Sequence, residues 1–198
     1  MSKTIQKAIK KALKLYENHI KKGSEKTPQI FHSLETAIII SRFTNSEELI
    51  TAALLHDVLE KCDYSVKELE KDFGKKISYF VVLLTEDKSI NDFWDRKIEG
   101  LDRAKEYQAT IMIKTVDAIT EMKDIIFLIK EKREGAWQFF TGSKELRMKY
   151  YRFLLEVFKE KLPPEILVEY TEVLKDLEYS GYLLTDSNLV FSNQENQL

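Results

Sequence analysis

The chain has 198 residues, 43% hydrophobic and 32% charged, with a formal net charge of −2. That is enough for one domain with a proper core, and the near-neutral charge gives no sign of a nucleic-acid partner. A single cysteine, Cys62, excludes an internal disulfide framework or a cysteine-rich zinc site and fits a reducing cytoplasm. No run of eighteen uncharged apolar residues predicts a membrane span.

Ile5, Ile9, Ala12, Leu13, Tyr16 and Ile20 recur at helical spacing, which predicts an amphipathic first helix over 3–22 with lysines outward. It has no apolar h-region, arginine or small-residue cleavage site, and so reads as a packed helix and not as a leader. Thr27-Pro28 reads as a cap and first-turn proline for a second helix, 28–43. Ser46 before Glu47 and Glu48 opens a third, 46–61. Ser65 with Glu68 forms a capping box for a fourth, 65–73, which Gly74 ends. Further helices are expected over 75–86, 91–130 with a break, 143–161 and 163–179. The Val/Ile-rich stretches TAIIISRF and IMIKTVDAI mimic strands, but their i, i+3, i+4 pattern favours helix. The tail SNLVFSNQENQL is polar and expected to fray. The reading is an all-α single domain over 1–180, a bundle with a C-terminal helical extension, followed by a tail over 181–198.

Chemistry concentrates in TAALLHDVLE, residues 51–60, where an apolar helical run ends in His56 and Asp57. Adjacent helical residues point about 100° apart, so the two share no face, yet both can reach one ion lying over the helix end. Such an ion needs imidazole and carboxylate partners from other helices. His32, in TPQIFHSLETA, and Asp117, in ATIMIKTVDAITEM, are the candidates. Asp117 lies among apolar neighbours, where an unpaired carboxylate is costly; Lys114, one turn earlier, is the alternative partner. His19, at the lysine-rich end of the first helix, reads as a surface or semi-buried residue.

A histidine, a His-Asp pair and a distant aspartate on separate helices resemble the HD superfamily of metal-dependent phosphohydrolases. The flanking words are closer still. TPQIFHSLETA resembles the TPYINHPxxVA segment of the alarmone hydrolases, which remove the 3′-pyrophosphate of guanosine tetra- and pentaphosphate. Residues 51–88, TAALLHDVLEKCDYSVKELEKDFGKKISYFVVLLTEDK, resemble AALLHDxxEDTxxTxxEIxxxFGxxVxxLVxxVTxxxK, and ATIMIKTVDAITEM parallels AxxIKLADRLxNL. The resemblance runs from about residue 19 to 125. It implies an HD-type bundle, with His32, His56, Asp57 and Asp117 as ligands of one divalent ion, manganese in that family. It also implies Glu60 as the group that orients or deprotonates the attacking water, and a cytoplasmic enzyme acting on a nucleotide such as guanosine tetraphosphate. Such an ion promotes that deprotonation and neutralises phosphoryl charge.

The chain departs from the family beside the reaction centre. The family's Glu-Asp is Glu60-Lys61 here, and its asparagine four residues after the distal aspartate is Glu121. Its Arg-Arg-Lys element survives only as Lys21-Lys22 with Lys26 nearby; lysine holds phosphate as a point charge, without a bidentate fork. Lys61 either meets a phosphate or pairs with Glu60 or Asp63. Lys22, Lys88, Lys97 (or Arg96), Lys114 and Glu121 are the candidate substrate-facing residues. Four filled ligand positions with altered neighbours imply a retained metal with either a changed pocket or a weakened enzyme. The competing expectations are therefore a phosphatase for another nucleotide, or a nucleotide-binding regulatory module that has lost turnover. Trp94, Trp137, Phe139 and Phe140 read as packing residues, although GAWQFFTGS (135–143) can instead supply a base pocket or a subunit contact. No nucleic acid or membrane partner is expected; an oligomer is compatible with the sequence.

Overall fold

The computed structural model describes residues 2–24 and 26–192, with side chains described through Gly181. Among the described residues ten α-helices follow in order: α1 (Lys3–Leu15), α2 (Ile30–Ser41), α3 (Glu47–Leu55), α4 (Val58–Lys61), α5 (Val66–Phe73), α6 (Lys75–Leu84), α7 (Phe93–Ala104), α8 (Gln108–Lys132), α9 (Lys144–Phe158) and α10 (Pro164–Ser192). Short 3₁₀ segments, Arg133–Phe139 and Lys159–Lys161, precede α9 and α10. Among the described residues the only bridge outside helices is Ile20 to Pro28, and no helix is long and apolar enough to cross a membrane.

The bundle is organised around α8, which packs against α2 and α10, with the Arg133–Phe139 segment folded back on it. Ile113, Val116, Ile119, Met122 and Ile125 are fully buried, and so are Thr110, Thr115 and Thr120 on other faces. A helix covered on most sides is apolar almost all round, which is why its Val/Ile-rich sequence mimics a strand. The buried threonine hydroxyls are satisfied locally: Thr115 donates to the Ile111 carbonyl and Thr120 to that of Asp117, both at 2.8 Å. Each fully buried aliphatic side chain here contributes about 1.5–3 kcal/mol relative to exposure. On the other side α3 packs against α1, α2 and α6 through Ala52, Ala53, Leu54 and Leu55.

Several boundaries follow the expected chemistry. Ser46 and Ser65 cap α3 and α5, the second through a complete capping box with Glu68. Gly74 ends α5 at φ 86°. Others differ. The first helix stops at Leu15 instead of 22, because the last buried position of its apolar stripe is Tyr16 and the chain then folds over. Backbone bonds from Lys21 to the Thr27 carbonyl and from Gln29 to the His19 carbonyl, both 2.8 Å, close residues 19–29 into a loop. Pro28 belongs to that loop, opposite Ile20, and α2 begins only at Ile30 behind Gln29. The single helix expected over 46–61 is interrupted at His56-Asp57. The break expected within 91–130 falls at 105–107, and the final helix continues past 179 to Ser192. Thus part of the tail is helical in backbone, while 193–198 lie outside the described residues.

Gly142, just before α9, adopts φ 80°, and a Cβ there would lie 2.9 Å from the Phe93 ring. Gly142→Ala is expected to cost about 1–3 kcal/mol through backbone strain and that contact. A chemical-denaturation midpoint unchanged from the parent protein would refute this.

Candidate active site

The interruption between α3 and α4 is where the site begins. His56 ends α3 with helical dihedrals, but Asp57 sits at φ −97°, ψ −8°, in the bridge region, before the one-turn α4. The Asp57 carbonyl accepts from the Glu60 and Lys61 backbone N–H groups, which starts the new helical turn of α4. Both side chains then reach the same point: His56 Nε2 lies 3.5 Å from Asp57 Oδ1. From the first turn of α2, His32 Nε2 comes within 3.9 Å of Asp57 Oδ2 and 3.0 Å of Asp117 Oδ1. Asp117, midway along α8, places the same oxygen 3.3 Å from His56 Nε2. The four residues implied as ligands therefore converge from α2, the α3–α4 junction and α8. Lys114, the alternative partner of Asp117, is 3.9 Å from its other oxygen.

His32, His56 and Asp57 present ligand atoms all within 4.8 Å of one another, and Asp117 adjoins them. The donor set fits a divalent cation. His56 Nδ1 is 2.8 Å from the Ala53 carbonyl; donating its proton there leaves the Nε2 lone pair facing the cluster, and that buried Nε2 has no hydrogen-bond partner. His32 Nδ1 faces Thr120 Oγ1 at 3.4 Å and Asp124 Oδ2 at 3.9 Å, which directs its Nε2 to the same place. Two imidazoles and two carboxylates thus face one another; once the imidazoles give up their Nε2 protons, they form a donor set whose charge a divalent cation would balance. Burial alone would lower the His56 pKa, but the Asp57 and Asp117 charges outweigh it and raise it to about 9. Burial would raise both carboxyls, but His56 with Lys61 and His32 at Asp57, and His56 with His32 and Lys114 at Asp117, hold them well below the usual carboxylate range.

A cavity of about 340 Å³ opens over this cluster, near the lower end of the range for small-ligand pockets. Glu60 and Lys61 line it from α4, Lys22 from the 19–29 loop, and Lys88 from the α6–α7 connection. Lys97, Lys114 and Glu121 complete the set of candidates named from the sequence, and all of them line this one cavity. Their surroundings differ. Lys61 donates to Asp57 Oδ2, and not to Glu60 or Asp63. Lys88 donates to the Glu60 carbonyl, which ties the α6–α7 connection to α4. Lys97 and Arg96 are both held by Glu86, at 2.5 and 3.1 Å. Burial pulls the Lys22 ammonium pKa down, and the nearby Lys61, Arg147 and Lys97 act in the same direction against the attraction of Glu121. Among the described residues no carboxylate lies within ion-pair distance of Lys22 or Lys88.

Glu121 is the centre of a second buried network. Its Oε1 accepts from Arg147 Nη1 at 2.9 Å and its Oε2 from the Tyr151 hydroxyl at 2.8 Å. Arg147, on α9, is 1% exposed; it also reaches Thr141 Oγ1 and lies 4.9 Å from the Phe140 ring centroid. Burial would raise the Glu121 pKa, but Arg147 and then Lys97 overcome it and bring it to about 2. Arg147, Thr141 and Phe140 all line the cavity. Arg147 is a site residue the sequence reading missed, as is Glu86. A signal for Arg147 existed: it falls on the stripe Arg147, Tyr151, Leu154, Phe158, the buried face of α9, where a cation needs a reason. Of the GAWQFFTGS stretch, Phe140 and Thr141 face the cavity while Trp137 packs elsewhere. Trp94 stacks on Phe153 at 5.4 Å. Cys62 lies outside the cavity lining, and burial pushes its thiol up to about 11.

The HD domain family matches residues 8–126. The chain belongs to the HD domain family. Its α9 and α10 lie beyond the matched HD segment, so Phe140, Thr141 and Arg147 reach the cavity from outside it. Among curated proteins, the chain is 30% identical over 107 residues to guanosine-3′,5′-bis(diphosphate) 3′-pyrophosphohydrolase MESH1 of Drosophila melanogaster, covering 53% of this chain and 60% of the fly protein. The protein of the same name from Danio rerio is 32% identical over 118 residues, covering 58% of this chain and 64% of its own length. The Xenopus tropicalis protein aligns more fully, at 26% over 78% of this chain and 83% of its own. A solved structure described as a metazoan ortholog of SpoT that hydrolyses ppGpp superposes with a TM-score of 0.71, covering 88% of this chain and 96% of that one at 22% identity. That likeness establishes a shared fold.

Arg147→Met strands the Glu121 carboxylate and is expected to cost about 3–5 kcal/mol. Combining it with Glu121→Leu should recover most of that loss, read from urea unfolding of the four-protein cycle. Because the folded pKa of Glu121 lies below its ordinary 4.5, its contribution is complete above that pH and is lost as the pH falls towards 2. Glu121→Gln should therefore flatten the decline in melting temperature on acidification from about pH 4.5; an identical decline in both proteins would count against this role.

Proposed function

We propose that this HD-domain protein is a metal-dependent nucleotide phosphohydrolase that removes the 3′-pyrophosphate of guanosine tetra- or pentaphosphate. The observation that carries the reading is the convergence of His32, His56, Asp57 and Asp117 beneath a cavity with lysines on its walls. The names of the fly, fish and frog relatives support the substrate. Residues 1–180 form the working unit in this reading, since α9 supplies part of the cavity wall.

His32, His56, Asp57 and Asp117 would hold one divalent ion, manganese by resemblance to the alarmone hydrolases, which when bound supplies Lewis-acid polarisation of the phosphoryl group and of water. Glu60 lies beside the cluster on α4, with its carboxylate on the cavity wall and no ion-pair partner among the described residues. It is placed to orient the attacking water and take its proton. Lys22 and Lys88, which have no carboxylate within ion-pair distance among the described residues, bind phosphate oxygens as point charges. Glu86 fixes Lys97 and Arg96 in the cavity wall, so that they shape the field there. Phe140 and Thr141 bound the side that receives the nucleoside. With the Glu121 charge compensated by Arg147, that carboxylate can accept from a neutral donor of the substrate without repelling the phosphates.

The test is turnover of a small nucleotide panel that includes guanosine tetraphosphate, by manganese-loaded protein, with His56→Ala as the blank. Pyrophosphate release from the alarmone is expected, with both metal binding and turnover lost in His56→Ala. Glu60→Gln should retain the metal and lower kcat about 10²–10⁴-fold. A second reading, a nucleotide-binding regulatory module, is favoured by one feature: Lys61 already engages a proposed ligand, Asp57. Metal and nucleotide binding with no turnover of any panel member would establish that reading instead.

A further inference from the structure

The carboxylate of Asp57 has two claimants. Its Oδ1 faces His56 and its Oδ2 faces His32, in position to complete the proposed metal centre. Yet Oδ2 also accepts from the ammonium of Lys61, one turn along α4. Asp57 is buried at 9% exposure, and among the described residues Lys61 is the only lysine or arginine paired with it.

A divalent ion and an ammonium cannot both occupy one buried carboxylate oxygen without strong repulsion. Lysine is the side chain best able to move away, having four rotatable carbons and no fixed fork. Its room to move is the cavity it already lines, where, among the described residues, Lys22 and Lys88 have no carboxylate within ion-pair distance. We propose that Lys61 is an internal counter-ion of Asp57 that a divalent ion displaces, and that the displaced ammonium joins the phosphate-binding wall. Metal and oxyanion binding then reinforce each other through this side chain. By linkage the effect is reciprocal: whatever factor the metal adds to oxyanion affinity, the oxyanion adds to metal affinity. The inference rests on the metal-centre reading above and adds a role for the lysine that stands where the resembling family has an aspartate.

The test uses the metal-free full chain and three readouts. In the first, manganese is titrated calorimetrically into the parent protein, Lys61→Met, Lys22→Met and His56→Ala. Lys61→Met keeps the aliphatic stem and removes the competing charge, so it should bind manganese about tenfold tighter, within the usual range of coupling factors. Lys22→Met, which removes a cavity charge away from Asp57, should change affinity less than about twofold on the same scale. In the second, reductive methylation followed by mass spectrometry reads the exposure of Lys61 in the unmodified chain. It should be protected without metal and label several-fold faster at saturating manganese. In the third, the titration is repeated in saturating sulfate, which should tighten manganese binding in the parent protein and not in Lys61→Met. Equal manganese affinity in parent and Lys61→Met, or unchanged labelling of Lys61 on metal loading, overturns the inference and leaves the metal centre standing. Absence of manganese binding in the parent protein and Lys61→Met alike overturns the centre itself, and this inference with it.

Discussion

Two carboxylates, Asp57 and Asp117, are held in the interior of a helical bundle beside two imidazoles, and the rest of the site is arranged around that electrostatic demand. Carboxylates in such a place require positive charge. The surrounding helices answer at three levels: the imidazoles touch the carboxylates, Lys61 and Lys114 stand next to them, and Lys22, Lys88 and Lys97 line the same cavity. The carboxylates would attract a divalent ion, while the lysines around them would attract an anionic nucleotide. Glu86 and Glu121 moderate the second attraction, each by engaging cations that would otherwise add to the wall.

Geometry comes from a contrast between rigid and interrupted backbone. α8 is long, unbroken and packed on most sides, so Asp117 and Glu121 project from it one turn apart in fixed register. The α3–α4 segment does the opposite: by breaking at His56-Asp57 it turns two neighbouring side chains to one point, which a continuous helix would keep apart. The 19–29 loop, tied to α8 by the 2.5 Å Lys21–Asp124 pair, brings Lys22 to the cavity and leads directly into His32.

The sequence made much of this legible, and unevenly. The all-α class, the capping box at Ser65 and the meeting of His32, His56, Asp57 and Asp117 could be read because each depends on local patterns or on a short word with few alternatives. The early end of α1 and the loop role of Pro28 could not, since they are decided by where buried partners run out and by pairing across residues 19–29. Lys61 shows the difference most clearly. Its position next to Glu60 was evident, and Asp57 stands four residues before it at the spacing of an ordinary helical ion pair, yet the sequence offers Glu60 and Asp63 as equally near partners. Arg147 was hidden for a related reason: its partner Glu121 is on another helix, 26 residues away, and nothing local marks the pair.

The distances along the chain that separate the site's members carry a consequence for how it assembles. His32 and Asp117 touch across 85 residues, so this contact cannot form from neighbouring turns; it waits until α2 and α8 have docked. Closing loops of that length is entropically costly early in folding and is repaid only by contacts made late. A ligand that requires the completed quartet has nothing to hold in a half-folded chain. It therefore acts chiefly as a brake on unfolding, lengthening the lifetime of the native state while leaving the rate of folding almost untouched.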